Sequence, residues 1–319
     1  MIARNFFVLS VSILLAANFC LAQPETENNR KRQPKVRTVT IPISIFSKEE
    51  LKQQIPQEFI EAGNIVVKED GDQQTILSIR SISDAPLALA VLIQDDVSSS
   101  VNLELKRLGE FIRRLPKGSR VMVAYLRVGS IQVRQKFTDD LEKAAESLRI
   151  ISGVAAVAPS SPYQSVEEAL GRFDALPTGR RAILLISDGL DVSRGLESSS
   201  PTTSLDLERA ITKAQRKSVA IYSFYASASL TERANSSVIL NAQGALQKLS
   251  EETGGRAFFS GLSTPVNYEP FFREVNMSLN RQFVLTYLST HMKKGYHKVD
   301  VTSTNPEIKI EHPKGYYYR

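Results

Sequence analysis

Two continuous apolar runs constrain the fold of this chain more than any other feature of its 319 residues. Residues 87–94 read LALAVLIQ, and residues 182–186 read AILLI. Such runs are typical of central parallel strands whose two faces are both buried. Segments of helical periodicity alternate with these and with weaker predicted strands, which is the pattern of a mostly parallel sheet covered on both faces.

The alternation predicts a doubly wound, Rossmann-like α/β domain over residues 86–280, with helices on both sides of a mostly parallel sheet. Further strands of this sheet are predicted at 121–128, 131–137, 219–225 and 256–259. Helices are predicted at 102–115, 140–150, 166–176, 205–217, 238–252 and 268–279.

Segments of β character flank this domain on both sides. Short, Val-, Ile- and Thr-rich strands are predicted at 38–46, 64–69, 74–82, 282–288, 296–302 and 307–311. Because isolated hairpins are marginally stable in water, we expect residues 38–85 and 281–319 to pair into one small sheet or sandwich.

Residues 1–22 have the pattern of a secretory signal peptide, with one basic residue and an apolar run too short to span a membrane. We expect cleavage near Ala22, export to the periplasm or the medium, and no transmembrane span in the mature chain. A lipoprotein with an acylated Cys20 is the alternative, although the bulky Phe19 stands where a small residue is expected before the acylated cysteine. Residues 23–37 are predicted to be a basic, flexible leader, and export argues against a nucleic-acid partner.

Oxygen-rich motifs follow both apolar runs. Asp96, Ser98 and Ser100 come directly after the first, and Asp188 follows the second. Because ligands bind beyond the carboxyl ends of the strands in open α/β sheets, we expect these side chains to meet at one edge of the sheet. Carboxylates and hydroxyls are hard ligands suited to Mg²⁺ or Mn²⁺.

The Asp-x-Ser-x-Ser motif that begins at Asp96, together with the later Ser-Asp-Gly at 187–189, resembles the metal-ion-dependent adhesion site of von Willebrand factor type A (VWFA) domains. Along residues 38–319 the chain resembles the exported VWFA-related proteins of environmental bacteria, especially acidobacteria. The segments that carry this wider resemblance, in order, are 67–71, 253–257, 281–288 and 314–317.

The resemblance implies a divalent cation, Mg²⁺ or else Mn²⁺ or Ca²⁺, whose open coordination position is taken by a carboxylate of a protein partner. In type A domains the serines bind the metal directly, the aspartates usually act through water, and a threonine from an intermediate loop completes the site. The matching residues here are Asp96, Ser98, Ser100 and Asp188.

The intermediate loop departs from the family pattern, because Gln164 stands where the threonine is expected. The missing ligand would then be the amide oxygen of Gln164 or the hydroxyl of Ser165 or Ser161. Serine and aspartate at the end of a strand can also serve without metal, as Ser100 would by capping the following helix.

Other polar groups give less support to a chemical role. Asp95, Ser187 and Asp191 are interpreted as supporting or structural residues. The arginine pairs at 113–114 and 180–181 and the lysine pair at 293–294 are interpreted as solvated. The three histidines all lie in the C-terminal β segment and form no metalloprotease or hydrolase signature, so an enzyme has little support.

The favoured function is therefore an exported, non-enzymatic module for protein binding or adhesion, in which a cation captures an acidic group of the partner. The alternative is a scaffold or assembly protein that keeps the type A fold and has a degenerate, metal-free site, as the glutamine at 164 suggests.

Overall fold

The structure is a computed structural model that describes residues 35–49, 65–82, 85–154, 158–177, 179–233, 235–259 and 267–318. The predicted signal peptide, Cys20 and most of the predicted leader lie outside these residues. Within the described part of the chain, no helix is both long and apolar enough to cross a membrane.

Thirteen strands form two sheets within the described residues. They are β1 Arg37–Ser47, β2 Ile65–Glu69, β3 Asp72–Ser81, β4 Leu87–Gln94, β5 Arg120–Arg127, β6 Ser130–Thr138, β7 Arg180–Ser187, β8 Ala220–Tyr225, β9 Ala257–Phe258, β10 Gln282–Ser289, β11 Gly295–Ser303, β12 Ile308–Glu311 and β13 Gly315–Tyr318.

The principal helices lie in the part of the chain between β4 and β10. They are α1 Leu105–Arg113, α2 Leu141–Glu146, α3 Pro162–Gly171, α4 Leu205–Lys217, α5 Ser229–Arg233, α6 Ser236–Glu252 and α7 Glu269–Asn280. Short 3-10 helices occur at Ser99–Glu104, Arg172–Ala175 and Leu196–Ser199.

The six-stranded sheet has the order β6-β5-β4-β7-β8-β9, in which β6 is antiparallel to β5 and the other neighbours are parallel. The two apolar runs of the sequence are its adjacent central strands, β4 and β7. In their register Val91 lies beside Leu184 on one side and Val123 on the other. All three side chains are fully buried, as the continuous apolar runs predict.

Alternate residues of β4 point into two separate cores. Val91 packs with residues of α1 and α7 on one face of the sheet, and Leu92 packs with α3, α4 and α6 on the other. This arrangement confirms the predicted doubly wound α/β class, because burying both faces requires helices on both.

The seven-stranded sheet is antiparallel and has the order β12-β1-β10-β3-β2-β11-β13. Strand β1 lies between β10 and β12, with Arg37 opposite Ser289 and Ser44 opposite Gln282. The buried core of the seven-stranded sheet includes Ile41, Ile43, Leu285, Tyr287, Val299 and Val301. The N-terminal and C-terminal β segments therefore form one sheet, which confirms that part of the predicted fold class.

Arg180, at the start of β7, connects the two sheets. Its guanidinium donates from Nε to Gln282 Oε1 at 3.0 Å, from Nη1 to the carbonyl of Ala85 at 2.7 Å, and from Nη2 to the carbonyl of Leu279. Only 3% of Arg180 is exposed, so its interpretation as a solvated residue is wrong. Arg180 therefore donates hydrogen bonds to buried acceptors in the segments where the chain passes from one sheet to the other.

Candidate metal centre

The loop after β4 is held by backbone hydrogen bonds at the carboxyl edge of the six-stranded sheet. The N–H of Asp95 donates to the carbonyl of Leu126 at the end of β5, at 3.1 Å, and the N–H of Ser98 donates to the carbonyl of Ser227 after β8, at 2.6 Å. The aspartate and the serines of this loop are therefore held above β4 by contacts to the end of β5 and to the segment after β8.

The two serines of the Asp-x-Ser-x-Ser motif lie against each other. The hydroxyl of Ser100 donates to that of Ser98 at 3.2 Å. Ser98 is the residue that precedes the 3-10 helix Ser99–Glu104, and its side chain makes no capping hydrogen bond. Ser100, which the sequence suggests as a possible helix cap, lies inside this 3-10 helix, so helix capping explains neither hydroxyl.

Asp188 lies at the end of β7, beside β4. Its Oδ1 accepts the N–H of Leu190 at 3.1 Å, and only 3% of the residue is exposed. Gln94 Oε1 accepts the Ser187 hydroxyl at 2.5 Å and the N–H of Asp188 at 3.2 Å. Gln94 therefore fixes the end of β7 relative to the end of β4.

The electrostatics of Asp188 are those of a buried acid without a basic partner. Its pKa is raised to about 7, chiefly by burial. The hydrogen bond from Leu190 opposes this rise, and the nearby charge of Asp96 adds to it. In the described part of the chain, neither Asp188 nor Asp96 forms an ion pair with a basic side chain. A cation between the two carboxylates would remove this electrostatic cost.

The three candidates for the remaining ligand lie at the start of α3: Ser161 directly precedes the helix, and Gln164 and Ser165 are in its first turn. Gln164 Nε2 donates to Asp206 Oδ2 at 2.8 Å, and the hydroxyl of Ser165 donates to the carbonyl of Ser130 at 3.1 Å. Ser161 is fully buried, and its hydroxyl has no hydrogen-bond partner within the described residues. The unpartnered group is thus Ser161, because Gln164 and Ser165 are engaged elsewhere.

A cavity of about 360 Å³ opens between these loops. Its polar lining consists of Gln94, Asp96, Arg127, Ser160, Ser161, Ser165 and Asp188. Its apolar lining includes Leu126, Leu190, Leu196 and Leu230. Of the residues predicted for the site, Asp96, Asp188 and Ser165 line this cavity. Ser98, Ser100 and Gln164 do not.

Behind the cavity, a buried network holds the segment between β7 and α4. Asp191 accepts hydrogen bonds from the hydroxyls of Ser193 at 2.7 Å and Ser204 at 2.5 Å. Ser193 also donates to Asp206 at 3.2 Å, the residue that receives the amide of Gln164. This network agrees with the interpretation of Asp191 as structural. Neither periodicity nor motif spacing points to Gln94 or Asp206, because the partners Ser187 and Gln164 are far away in the chain.

No family model matches the chain, and no curated protein does. Similar solved structures include a von Willebrand factor type A protein from Catenulispora acidiphila, 11% identical, with 89% of this chain and 72% of that chain covered and a TM-score of 0.43. BatB from Bacteroides thetaiotaomicron is 13% identical, with 60% and 96% covered and a TM-score of 0.41. An aerotolerance-related membrane protein from Bacteroides fragilis is 11% identical, with 61% and 98% covered and a TM-score of 0.42.

At these identities the likeness concerns the fold alone. The strand order, with one antiparallel strand at the β6 edge and the acidic loops at the carboxyl ends of β4 and β7, is that of a doubly wound α/β unit. The solved structures that this unit is similar to include von Willebrand factor type A domains. The narrower resemblance of the type A domain and its flanking sheet to acidobacterial proteins stays a prediction.

Proposed function

We propose that this chain is an exported protein-binding module whose type A domain holds a divalent cation and uses it to capture a carboxylate of a protein partner. Mg²⁺ is the favoured cation, with Mn²⁺ and Ca²⁺ as alternatives of similar chemistry. The proposed ligands are Asp96, Ser98, Ser100 and Asp188, with Ser161 as the hydroxyl from the intermediate loop.

One observation carries the proposal: a buried carboxylate without a basic partner and a buried hydroxyl without a hydrogen-bond partner line the same cavity. Asp188 is next to Asp96 without a basic residue between them, and the Ser161 hydroxyl is unpartnered among the described residues. Leaving such groups unpaired costs about 1–3 kcal/mol for a neutral group and more for a charge. Oxygen donors of this kind fit a hard cation.

A bound cation would supply positive charge at the mouth of the cavity, and with it an attraction for an acidic side chain. The chain's own residues would set the specificity. The apolar lining includes Leu190, Leu196 and Leu230, so a partner with apolar residues beside its carboxylate would bury them there.

Type A domains are generally interaction modules, and the positions of the histidines agree with a non-enzymatic role. All three, His291, His297 and His312, lie in or beside strands of the seven-stranded sheet, away from the cavity. The predicted site therefore contains no imidazole that could act as a general base.

A metal-free scaffold is the second candidate, and one contact favours it. The amide nitrogen of Gln164 donates to Asp206, and Gln164, the residue at the usual threonine position, does not line the cavity. Such a scaffold would bind its partner equally well with and without a chelator.

Thermal melts of the purified chain in EDTA, Mg²⁺, Mn²⁺ or Ca²⁺ test the proposal. A cation at about a hundred times its dissociation constant adds roughly 2.7 kcal/mol to the free energy of unfolding. We expect a Mg²⁺ or Mn²⁺ shift in the native chain that is lost in the double variant Ser98→Ala and Ser100→Ala.

The matched control is the double variant Ser236→Ala and Ser237→Ala, which removes two exposed hydroxyls at the start of α6. It should keep the full cation shift. A shift that survives the loss of Ser98 and Ser100, or no shift with any of the three cations, would contradict the proposed site and favour the scaffold.

A further inference from the structure

A second cluster of ligand-type side chains lies in the seven-stranded sheet, where β2 and β3 meet β11. Strand β2 pairs with β11 so that Glu69 lies opposite Val299. Asp70 follows in the β2–β3 turn with a φ of 51°, a left-handed conformation that aspartate tolerates better than most residues. This turn brings the Asp70 carboxylate next to the side chain of His297 on β11.

Three ligand atoms converge at this point. His297 Nδ1 is 2.8 Å from Asp70 Oδ2 and 3.3 Å from Glu69 Oε1, and each of the three side chains has one such atom within 4.8 Å of the others. His291 lies on the more exposed side, with its Nδ1 3.8 Å from Asp70 Oδ2. The set is thus two carboxylates and an imidazole, with a second imidazole adjacent.

The hydrogen bonds of His297 determine which of its nitrogens faces the carboxylates as a possible ligand. Its Nε2 is 2.6 Å from the carbonyl oxygen of Lys293, which can only accept, so Nε2 carries a proton. Nδ1 therefore faces two carboxylate oxygens with either a second proton or a metal ion between them. A backbone carbonyl that receives the other ring N–H is the usual support of a metal-binding histidine.

Glu69 supplies an independent observation. The residue is fully buried, and its Oε1 accepts from Ser289 Oγ at 2.9 Å, from the Tyr316 hydroxyl at 2.7 Å and from Arg37 Nη2 at 3.3 Å. Its Oε2 is buried and has no hydrogen-bond partner among the described residues. A buried, unpartnered carboxylate oxygen is costly, and a metal ion is one of the groups that can compensate it.

The local charges also favour a dication. Asp72 Oδ2 is 3.3 Å from His291 Nε2, so three carboxylates, from Glu69, Asp70 and Asp72, surround the two imidazoles. Arg37 pairs with Glu69 and compensates one charge. Carboxylates therefore outnumber the cation that pairs with them inside the cluster, and a divalent ion would reduce this excess. Lys293 and Lys294 border the adjoining cavity, and both are exposed to solvent.

We propose that Glu69, Asp70 and His297, with His291 on the open side, bind a transition-metal dication of the Zn²⁺ class. A mixed set of imidazole and carboxylate ligands suits Zn²⁺ better than Mg²⁺, which prefers oxygen ligands alone. The ion would join the β2–β3 turn to β11 and to the segment after β10. It would thereby fasten the sheet that the two ends of the chain build together.

The test is metal titration of the purified, EDTA-treated chain that carries Asp96→Ala, so that the type A site does not contribute. Co²⁺ is the spectroscopic probe, because its visible absorption reports inner-sphere coordination, and Zn²⁺ is then added as the competitor. We expect binding of one Co²⁺ per chain, displacement by Zn²⁺, and at least tenfold weaker binding after either Asp70→Asn or His297→Gln.

Asp139→Asn is the matched control, since Asp139 is an exposed aspartate outside both sites. Because His297 is buried and its variant could fail to fold, His291→Gln provides a second, more exposed imidazole variant, in which weaker binding is also expected. Zn²⁺ and Co²⁺ binding that is absent in the Asp96→Ala chain, or unchanged in Asp70→Asn and His297→Gln, would overturn the proposal.

This outcome is separable from that of the proposed function. Zn²⁺ binding in the Asp96→Ala chain can be observed whether or not the native chain shows a Mg²⁺ shift that depends on Ser98 and Ser100.

Discussion

The side-chain oxygen of Gln94 receives both the hydroxyl of Ser187 and the backbone N–H of Asp188, at 2.5 and 3.2 Å. One neutral acceptor at the end of β4 thus sets the position of the acidic residue at the end of β7. The distance between the two oxygen-rich loops depends on this contact as well as on the pairing of the strands.

Replacing Gln94 with methionine should therefore affect both stability and cation binding. Two donors would lose their acceptor, at a cost of about 1–3 kcal/mol in the free energy of unfolding, measured by urea denaturation in EDTA. The Mg²⁺-dependent rise in melting temperature should also shrink. Gln132→Met, at an exposed glutamine on β6, is the control and should change neither quantity by more than about 0.5 kcal/mol.

Ser161→Ala should behave differently in the absence and presence of cation. In EDTA, removal of a buried hydroxyl without a partner should leave the free energy of unfolding unchanged or raise it by about 1 kcal/mol. With Mg²⁺ the variant should gain less than the native chain. Ser165→Ala is the comparison, because its hydroxyl donates to Ser130 and its loss should be destabilising in EDTA. An undiminished Mg²⁺ gain in Ser161→Ala would remove Ser161 from the ligand set.

His312 should make the stability of the chain depend on pH. Burial, followed by the positive charge of Lys314, lowers its pKa from 6.5 to about 4. Its Nδ1 donates to the Pro313 carbonyl and its Nε2 accepts the N–H of Val301 at 3.2 Å, so the native state requires the neutral ring.

The sign follows from the lowered pKa. The unfolded chain takes up the proton first, so the contribution of His312 is complete above pH 6.5 and is lost as the pH falls towards 4, by about 3 kcal/mol in all. Urea denaturation at several pH values in EDTA should show a weaker loss in His312→Gln than in the native chain. Parallel curves for the two chains would contradict this assignment.

Arg180→Met should destabilise the whole chain, although the substitution lies far from both proposed metal sites. It leaves the acceptors of Gln282, Ala85 and Leu279 without their donor at the junction of the two sheets, and we expect a loss of about 2–4 kcal/mol. Arg120→Met, at an exposed arginine that begins β5, should have an effect near zero in the same urea experiment. Equal effects of the two substitutions would show that the junction contributes little.

The strands and the doubly wound class could be predicted because their signals are local: continuous apolar runs for β4 and β7, and alternation in the flanking strands. Helix ends were less predictable. The helix expected over 140–150 ends at Glu146, because the Tyr125 hydroxyl accepts the N–H of Arg149 and donates to its carbonyl, and so holds this segment outside the helix.

The candidate type A site could be proposed from sequence because its two motifs follow strands directly. The sequence could not predict which residue near the start of α3 is available as the remaining ligand. That depends on the contact of Gln164 with Asp206, which is 42 positions away in the chain. The cluster at His297 was missed for the same reason: 227 positions separate it from Asp70, and only the pairing of β2 with β11 brings them together.

The insertion of β1 between β10 and β12 has a consequence for the order of events in folding. Contacts between residues about 250 positions apart have to wait until nearly the whole chain has been synthesised. The α/β sheet uses an interior stretch of sequence and can assemble earlier, whereas β1 has no partners until β10 and β12 emerge. Chains interrupted before β10 would therefore expose an apolar N-terminal strand, which is a surface that chaperones and proteases recognise.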